Sequence, residues 1–473
     1  MDEGSDVELT GIGAELAGID LGDERLNRRS LRVLESLAAN PQASVNAACS
    51  GWSETLAAYR FFDNPAVEPE KILAPHQEAT RERIKAQPVV LVIQDTTEFD
   101  FTSHPPRDAG CLDHPYRLGF YDHTSLAVTP ERLCLGVVGE EQFDRAPESL
   151  GEADERENWP IENKESFRWL SGYRLASRLA QECPDTQIVS VADSEADIYD
   201  IFVDARERKS GAEFLIRAKV NRAIPERDPA AGPAAYRKVK DEARASEIRI
   251  RKTIELPQTP KRTARQATLE IRALQVTVKP PHARSRLPQV TYNVVLVDEV
   301  NGPQDGTDVC WLLITSLPIE TIAQIELIIE YYLARWMIEV YFRTLKTGCK
   351  IEEIQLETVR RLKNCLALYK IIAWRILYLT HLNRECPDLS CDAVFAQEEW
   401  QPVWQIVKQE PPPKHAPLLG EFMKLIAELG GYNNRATEPP PGPQTIWTGL
   451  RRTLDFAIAW KAFQLAQQKL VCK

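Results

Sequence analysis

The stretch IIEYYLARWMIEVYFRTLKTG, residues 328–348, sets Tyr332, Arg335, Glu339 and Lys346 at i, i+3, i+7 and i+14 in a largely apolar run. On an α-helix, at ~100° per residue, these positions fall at about 0°, −60°, −20° and −40°, a stripe roughly 21 Å long. A carboxylate is thereby lined up with cations. Helix is the expected state because Pro318 suits a first turn, the interior from Ile322 is rich in Leu, Ile, Ala and Glu, and Gly348 supplies a stop after Lys346. Taken alone, the stripe also suits a solvated charged face.

Two further carboxylates narrow the reading. Asp95 closes PVVLVIQD (88–95) and Asp193 closes IVSVAD (188–193), both short, β-branched, apolar runs. Such runs read as buried strands of a mixed α/β sheet, and ligands of such sheets gather at strand carboxyl ends. Either aspartate alone would equally suit a turn or a helix cap. Together with Glu339 they form a set of hard oxygen ligands suited to Mg²⁺, with Mn²⁺ as the alternative. A two-metal centre about 3.5–4 Å across activates water and stabilises the leaving oxygen in phosphodiester chemistry.

The spacing Y-x2-R-x3-E-x6-K, filled by Tyr332, Arg335, Glu339 and Lys346, resembles the signature of the insertion-sequence-four family of bacterial DDE transposases, in its Tn-five type. LGDERLNRR (21–29), AYRFFDNP (58–65), IQDTTEF (93–99), DSEADIYD (193–200), WLLITSLP (311–318) and LGGYNN (429–434) resemble that family in the same order along nearly the whole chain. The resemblance implies an α/β, ribonuclease-H-like catalytic core in which Asp95, Asp193 and Glu339 hold two divalent metals. It implies cut-and-paste transposition by a homodimer on two transposon ends: nicking, hairpin formation, hairpin opening and strand transfer into target DNA. All four steps are phosphoryl transfers, so one site could serve them in succession. It also implies that Trp311 lines a pocket for a flipped base, where stacking is worth ~1–3 kcal/mol. Arg217, Lys219 and Arg222 then contact DNA beside the core, and Tyr332, Arg335, Arg343 and Lys346 position phosphates.

Composition shifts give the expected organisation. Residues 1–75 read as a helical DNA-binding domain carrying Arg25, Arg28, Arg29 and Arg60 behind an acidic leader. Residues 76–372 read as the catalytic domain, interrupted at about 228–310 by EIRIRKTIEL, ATLEIRALQVTV and VTYNVVLVDEV, whose period of two predicts inserted antiparallel β structure. Residues 373–473 read as a helical dimerisation domain, with a terminal apolar stripe at Leu454, Ile458, Ala462 and Leu465.

The net charge of −11 argues superficially against a nucleic-acid partner. Between Arg206 and Arg286, however, 21 Lys/Arg face 9 Asp/Glu, leaving +12 there and −23 elsewhere. A local basic surface, not the global sum, makes a phosphate-binding field. The ten cysteines include no CxxC pair, so neither zinc nor a disulfide framework is expected. The N-terminus does not resemble a signal peptide, and the apolar segment 364–383 contains Lys370 and Arg375, which suits a buried helix better than a membrane span. A cytoplasmic, nucleoid-associated bacterial protein is the expected setting. His123, beside Asp122, reads as a strand-entry residue rather than a base. Two alternatives share the fold: a domesticated or inhibitory DNA-binding protein, and a structure-selective nuclease that cuts without joining.

Overall fold

The computed structural model describes residues 11–49, 51–145, 159–208, 211–227, 236–258, 262–303, 305–435 and 440–471. The start of the acidic leader and the side chain of Leu465 lie outside the described residues.

The described residues open on a 3₁₀ turn (Gly11–Leu16), followed by the α-helices α1 (Glu24–Ala39), α2 (Val45–Ala48), α3 (Trp52–Asp63) and α4 (Pro69–Lys85). Asp23 caps α1 by accepting from Arg25 N–H, and Pro69 opens α4 at a position where its missing N–H costs nothing. The strands β1 (Val89–Asp100), β2 (Gly110–Cys111), β3 (Leu118–Val128) and β4 (Cys134–Phe143) follow, then α5 (Phe167–Glu182), β5 (Gln187–Ala192), α6 (Tyr199–Glu207) and β6 (Glu213–Arg217). Next come the small pair β7 (Ala223–Arg227) and β8 (Tyr236–Lys238), α7 (Val239–Ala245), and the long strands β9 (Ile248–Leu256), β10 (Arg265–Val278), β11 (Val290–Glu299) and β12 (Cys310–Thr315). The remainder is helical: α8 (Ile322–Ala334), α9 (Trp336–Arg343), α10 (Val359–Glu385), α11 (Gln397–Lys408), α12 (Leu419–Leu429) and α13 (Pro443–Val471).

Among the described residues the main sheet runs β2-β3-β1-β5-β6-β12-β11-β10-β9, with β4 beside β3. Its centre is parallel, β1 with β5 and β5 with β6, and both flanks are antiparallel. The period-two segment therefore continues the core sheet. In β10 the pattern is cleanly expressed, with Ala267, Leu269, Ile271 and Ala273 buried on one face.

The parallel centre is buried, as its β-branched runs require: Val90, Leu91, Val92, Ile93, Val189 and Val191 are all fully shielded from solvent. Helix α10 crosses beside this sheet. Among the described residues it is the one helix long and apolar enough to span a bilayer, yet 83% of its most apolar window is buried in the protein. Lys370, the charge that interrupted its hydropathy, is fully buried between Asp122 and Glu140, with Nζ 2.7 Å from Asp122 Oδ1. Asn364 donates to the carbonyls of Phe62 and Val67, each at 3.0 Å, fixing the N-terminal helices to α10.

The helix expected through 332–346 is not one straight α-helix. At Arg335 the backbone tightens, with N–H groups reaching back three residues to Tyr332 and from Ile338 to Arg335, which separates α8 from α9. At Thr344–Gly348 it widens into a π turn. Uniform 3.6-residue periodicity cannot anticipate either change. π turns of this kind recur at functional sites.

Candidate active site

The register of the parallel ladder decides how the two aspartates meet. Pairing of β1 with β5 ends at Gln94 opposite Ala192, so Asp95 and Asp193 follow as the next residues on adjacent strands. Neighbouring strands lie about 4.8 Å apart. Strand β1 does not stop at Asp95, as its apolar run suggested; it continues to Asp100 by pairing with β3. Asp193 instead leaves the sheet and caps a short 3₁₀ turn, its Oδ1 accepting from Glu195 N–H at 2.8 Å.

Glu339 reaches this edge from α9 through Arg335. The Arg335 guanidinium donates from Nη1 to Asp95 Oδ2 at 3.2 Å and from Nη2 to Glu339 Oε1 at 2.5 Å. Burial pushes the Asp95 carboxyl up to about 7, against the pull of Arg335 and with the added push of Asp193 and Glu339. This is an acidic, partly enclosed site short of positive charge, and its donors are all hard oxygens. Among the described residues no group of three acidic, His or Cys side chains forms a ready-made metal cluster; Arg335 stands between two of the three carboxylates. The donor set fits a divalent cation in charge and chemistry.

Beside the carboxylates, Trp311 packs edge to face on Tyr332, ring centroids 5.5 Å apart, joining β12 to α8. Arg217 approaches the Tyr332 hydroxyl from β6, the strand paired with β12. Trp311 is only half-buried. Lys346 lies 3.6 Å from Glu352 and over the Phe99 ring, carried there by the π turn. Arg343 is exposed and lines a cleft of about 430 Å³ with Trp336, Val340, Pro443 and Trp447, between α9 and the start of α13.

The expected DNA contacts divide. Arg217 and Lys219 are exposed. Arg222 is a correction: it is buried, its guanidinium held by the carboxylate and carbonyl of Asp197 and stacked over Phe202, so it presents no charge to a phosphate here. The +12 of its segment is likewise reduced by partners outside it, since Asp298 takes Arg244 and Glu299 takes Arg265. Arg25, Arg28 and Arg60 lie on the surface of the N-terminal helices, and Arg29 bonds Glu54 at 2.6 Å.

Three family models match. A transposase DNA-binding model covers residues 12–67, a transposase DDE domain covers 173–375, and a transposase Tn5 dimerisation domain covers 371–463. The chain has the domain set of a bacterial Tn5-type DDE transposase. Asp193 and Glu339 lie within the matched DDE segment, whereas Asp95 precedes it. A solved piggyBac transposase synaptic complex with hairpin DNA shares 8% identity, with 95% of this chain and 78% of that chain covered at a TM-score of 0.34, a likeness that carries no argument. The matches give this transposase DNA binding, a divalent-metal nuclease and strand-transferase class, and pairing of two copies. In the single chain the outer part of α13 leaves Ile458, Ala462 and Phe463 exposed, within the dimerisation match.

The sequence did not single out Thr96, which bonds Asp95, Glu195, which bonds Asp193, or Arg168, which bonds Thr96 and Glu195. Thr96 and Glu195 lie inside the quoted segments IQDTTEF and DSEADIYD; Arg168, in a helix remote in sequence, carried no signal.

Proposed function

We propose that this transposase moves its element by cut-and-paste chemistry on a ribonuclease-H-like core, with Asp95, Asp193 and Glu339 holding Mg²⁺, or Mn²⁺ in its place. The observation that carries the reading is the side-by-side placement of Asp95 and Asp193 past the last parallel pair, with Glu339 brought to them through Arg335. When bound, the metal supplies an activated water or hydroxyl and stabilises the leaving oxygen. The chain's own residues do the rest. Arg335 and Lys346 position phosphates, and the Trp311–Tyr332–Arg217 group receives an extruded base. Exposed Arg217 and Lys219 track the backbone, and Arg25, Arg28, Arg29 and Arg60 grip the element end.

In this reading residues 1–75 bind ends, 76–372 carry the chemistry with 228–310 as its antiparallel extension, and 373–473 pair the two copies across a synapse before transfer into target DNA. The test is incubation of the purified protein with a duplex bearing its own element's terminus and Mg²⁺, resolved on denaturing gels. Nicks followed by hairpins and joined products are expected. Nicks without hairpins or joining would favour a structure-selective nuclease, and binding without cleavage an inhibitory DNA-binding protein.

A further inference from the structure

Neither aspartate is held by the sheet alone; each side chain is fixed by a nearby backbone N–H. Thr96 N–H donates to Asp95 Oδ1 at 2.7 Å, and Glu195 N–H donates to Asp193 Oδ1 at 2.8 Å. Those two donor residues share a third partner. Arg168, in the first turn of α5, donates from Nε to Thr96 Oγ1 at 3.0 Å and from Nη2 to Glu195 Oε2 at 3.2 Å, while Nη1 holds the Glu165 carbonyl at 2.7 Å.

We infer that Arg168 is a positioning residue that sets the separation and orientation of Asp95 and Asp193 by bracing Thr96 and Glu195 from one rigid fork. The planar guanidinium suits this work because its donors diverge at fixed angles and cannot deprotonate. Its surroundings leave it little freedom. Its side chain is 10% exposed and lies 5.2 Å over the Phe143 ring. Because Arg168 uses Thr96 Oγ1 as an acceptor, the hydroxyl hydrogen is left for His123 Nδ1, 2.9 Å away on β3. Burial and the nearby cations Arg168 and Lys370 push that imidazole down to about 3, so it stays a neutral acceptor. The brace thus runs from α5 through β1 to β3 on one side and to the turn after β5 on the other. Residues that orient a metal ligand without touching the metal alter affinity by roughly 10–100-fold when removed.

The inference rests on the proposed metal role of the aspartates. Its test is Mn²⁺ binding to the full-length protein without DNA, read from the electron paramagnetic resonance signal of free Mn²⁺. Thr96→Val removes the hydroxyl without changing charge and nearly preserves shape; it is expected to weaken Mn²⁺ binding roughly 10-fold or more, at an unfolding temperature close to that of the parent. Thr96→Ser restores the hydroxyl and should restore affinity. Arg168→Ala should weaken binding at least as much as Thr96→Val. If burial of Arg168 makes that variant unfold, the Thr96 pair carries the test. Parent-like Mn²⁺ affinity in Thr96→Val, with affinity abolished in Asp95→Asn, would overturn the brace and leave the metal site standing. Parent-like affinity in Asp95→Asn as well would remove the metal site itself, and the brace with it.

Discussion

Arg335 Nη1 lies 3.2 Å from Asp95 Oδ2, so the cation of the signature helix is hydrogen-bonded to a strand carboxylate 240 residues away in the chain. The other arm of the same guanidinium takes Glu339. Helix and strand edge are therefore locked in one charge network, and the outcome of substitutions should depend on which part of that network they touch.

Asp95→Asn, Asp193→Asn and Glu339→Gln each remove a negative oxygen with little change in volume. Each should cut end nicking by ~10³-fold or more, since several kcal/mol of charge stabilisation are at stake. End binding, measured by anisotropy, should stay near that of the parent. Near-normal nicking by any one of them would remove that residue from the centre.

Arg335→Ala and Lys346→Ala should slow hairpin formation more than the first nick, by up to ~10²-fold, because phosphate placement matters most when DNA must fold back on itself. Single-turnover time courses separate the two steps. Equal slowing of both steps would instead assign these cations to the chemistry of the nick.

Arg217→Ala and Lys219→Ala should weaken end binding and reduce the slope of log affinity against log salt by about 1 for each phosphate no longer neutralised. Arg222→Ala should behave differently. It strips the buried Asp197 carboxylate of its cationic partner and leaves it the N–H groups of Lys219 and Val220, a loss of up to about 3–5 kcal/mol in stability, visible in thermal unfolding, with the salt slope unchanged.

Trp311→Ala should let nicked DNA accumulate, slowing hairpin closure by roughly 5- to 150-fold if ~1–3 kcal/mol of stacking is removed. A decline of nicking and hairpin formation in equal measure, in a stably folded variant, would return Trp311 to packing against Tyr332.

Acid should loosen the N-terminal segment. His76 is fully buried; its Nε2 accepts from Val137 N–H at 3.1 Å, and its Nδ1 lies 2.6 Å from Glu15, which also binds Arg83. Burial holds the imidazole below its ordinary value, outweighing the upward pull of Glu15. The unfolded chain therefore takes up a proton near pH 6.5 that the folded ring refuses, and stability falls as pH drops through that window. Burial would raise the Glu15 carboxyl, but His76 and Arg83 outweigh it, so Glu15 adds a loss of the same sign at lower pH. Calorimetry between pH 7.5 and 5.5 should show a falling unfolding temperature, with a shallower fall in His76→Asn.

Asp95, Asp193 and Glu339 could be picked out as candidates because each ended or interrupted an apolar pattern, and apolar patterns report burial directly, although β1 runs on past Asp95 through its pairing with β3. Arg222 was misread for a related reason. A basic residue in a basic segment resembles a surface charge, and nothing near it in sequence shows that Asp197, 25 positions earlier, folds back to claim it. The same blindness hid Arg168, whose partners come from two other segments. The change of backbone pitch at Arg335 and again at Thr344–Gly348 escaped because periodicity assumes a constant turn, whereas local hydrogen bonding sets the turn that forms.

Strands β6 and β12 are hydrogen-bonded neighbours, Arg217 opposite Leu313, although residues 218–309 separate them in the chain. Topologically, everything between is a detour that departs from and returns to adjacent rails. Strand β11 belongs to the core, pairing with β12 and burying Val294, Val295 and Leu296 completely, so a change of length is tolerated at the turns that join β7 to β10 and not in β11 itself. Insertions at those outer turns would leave the pairing of β6 with β12, and the chemistry beside it, in place.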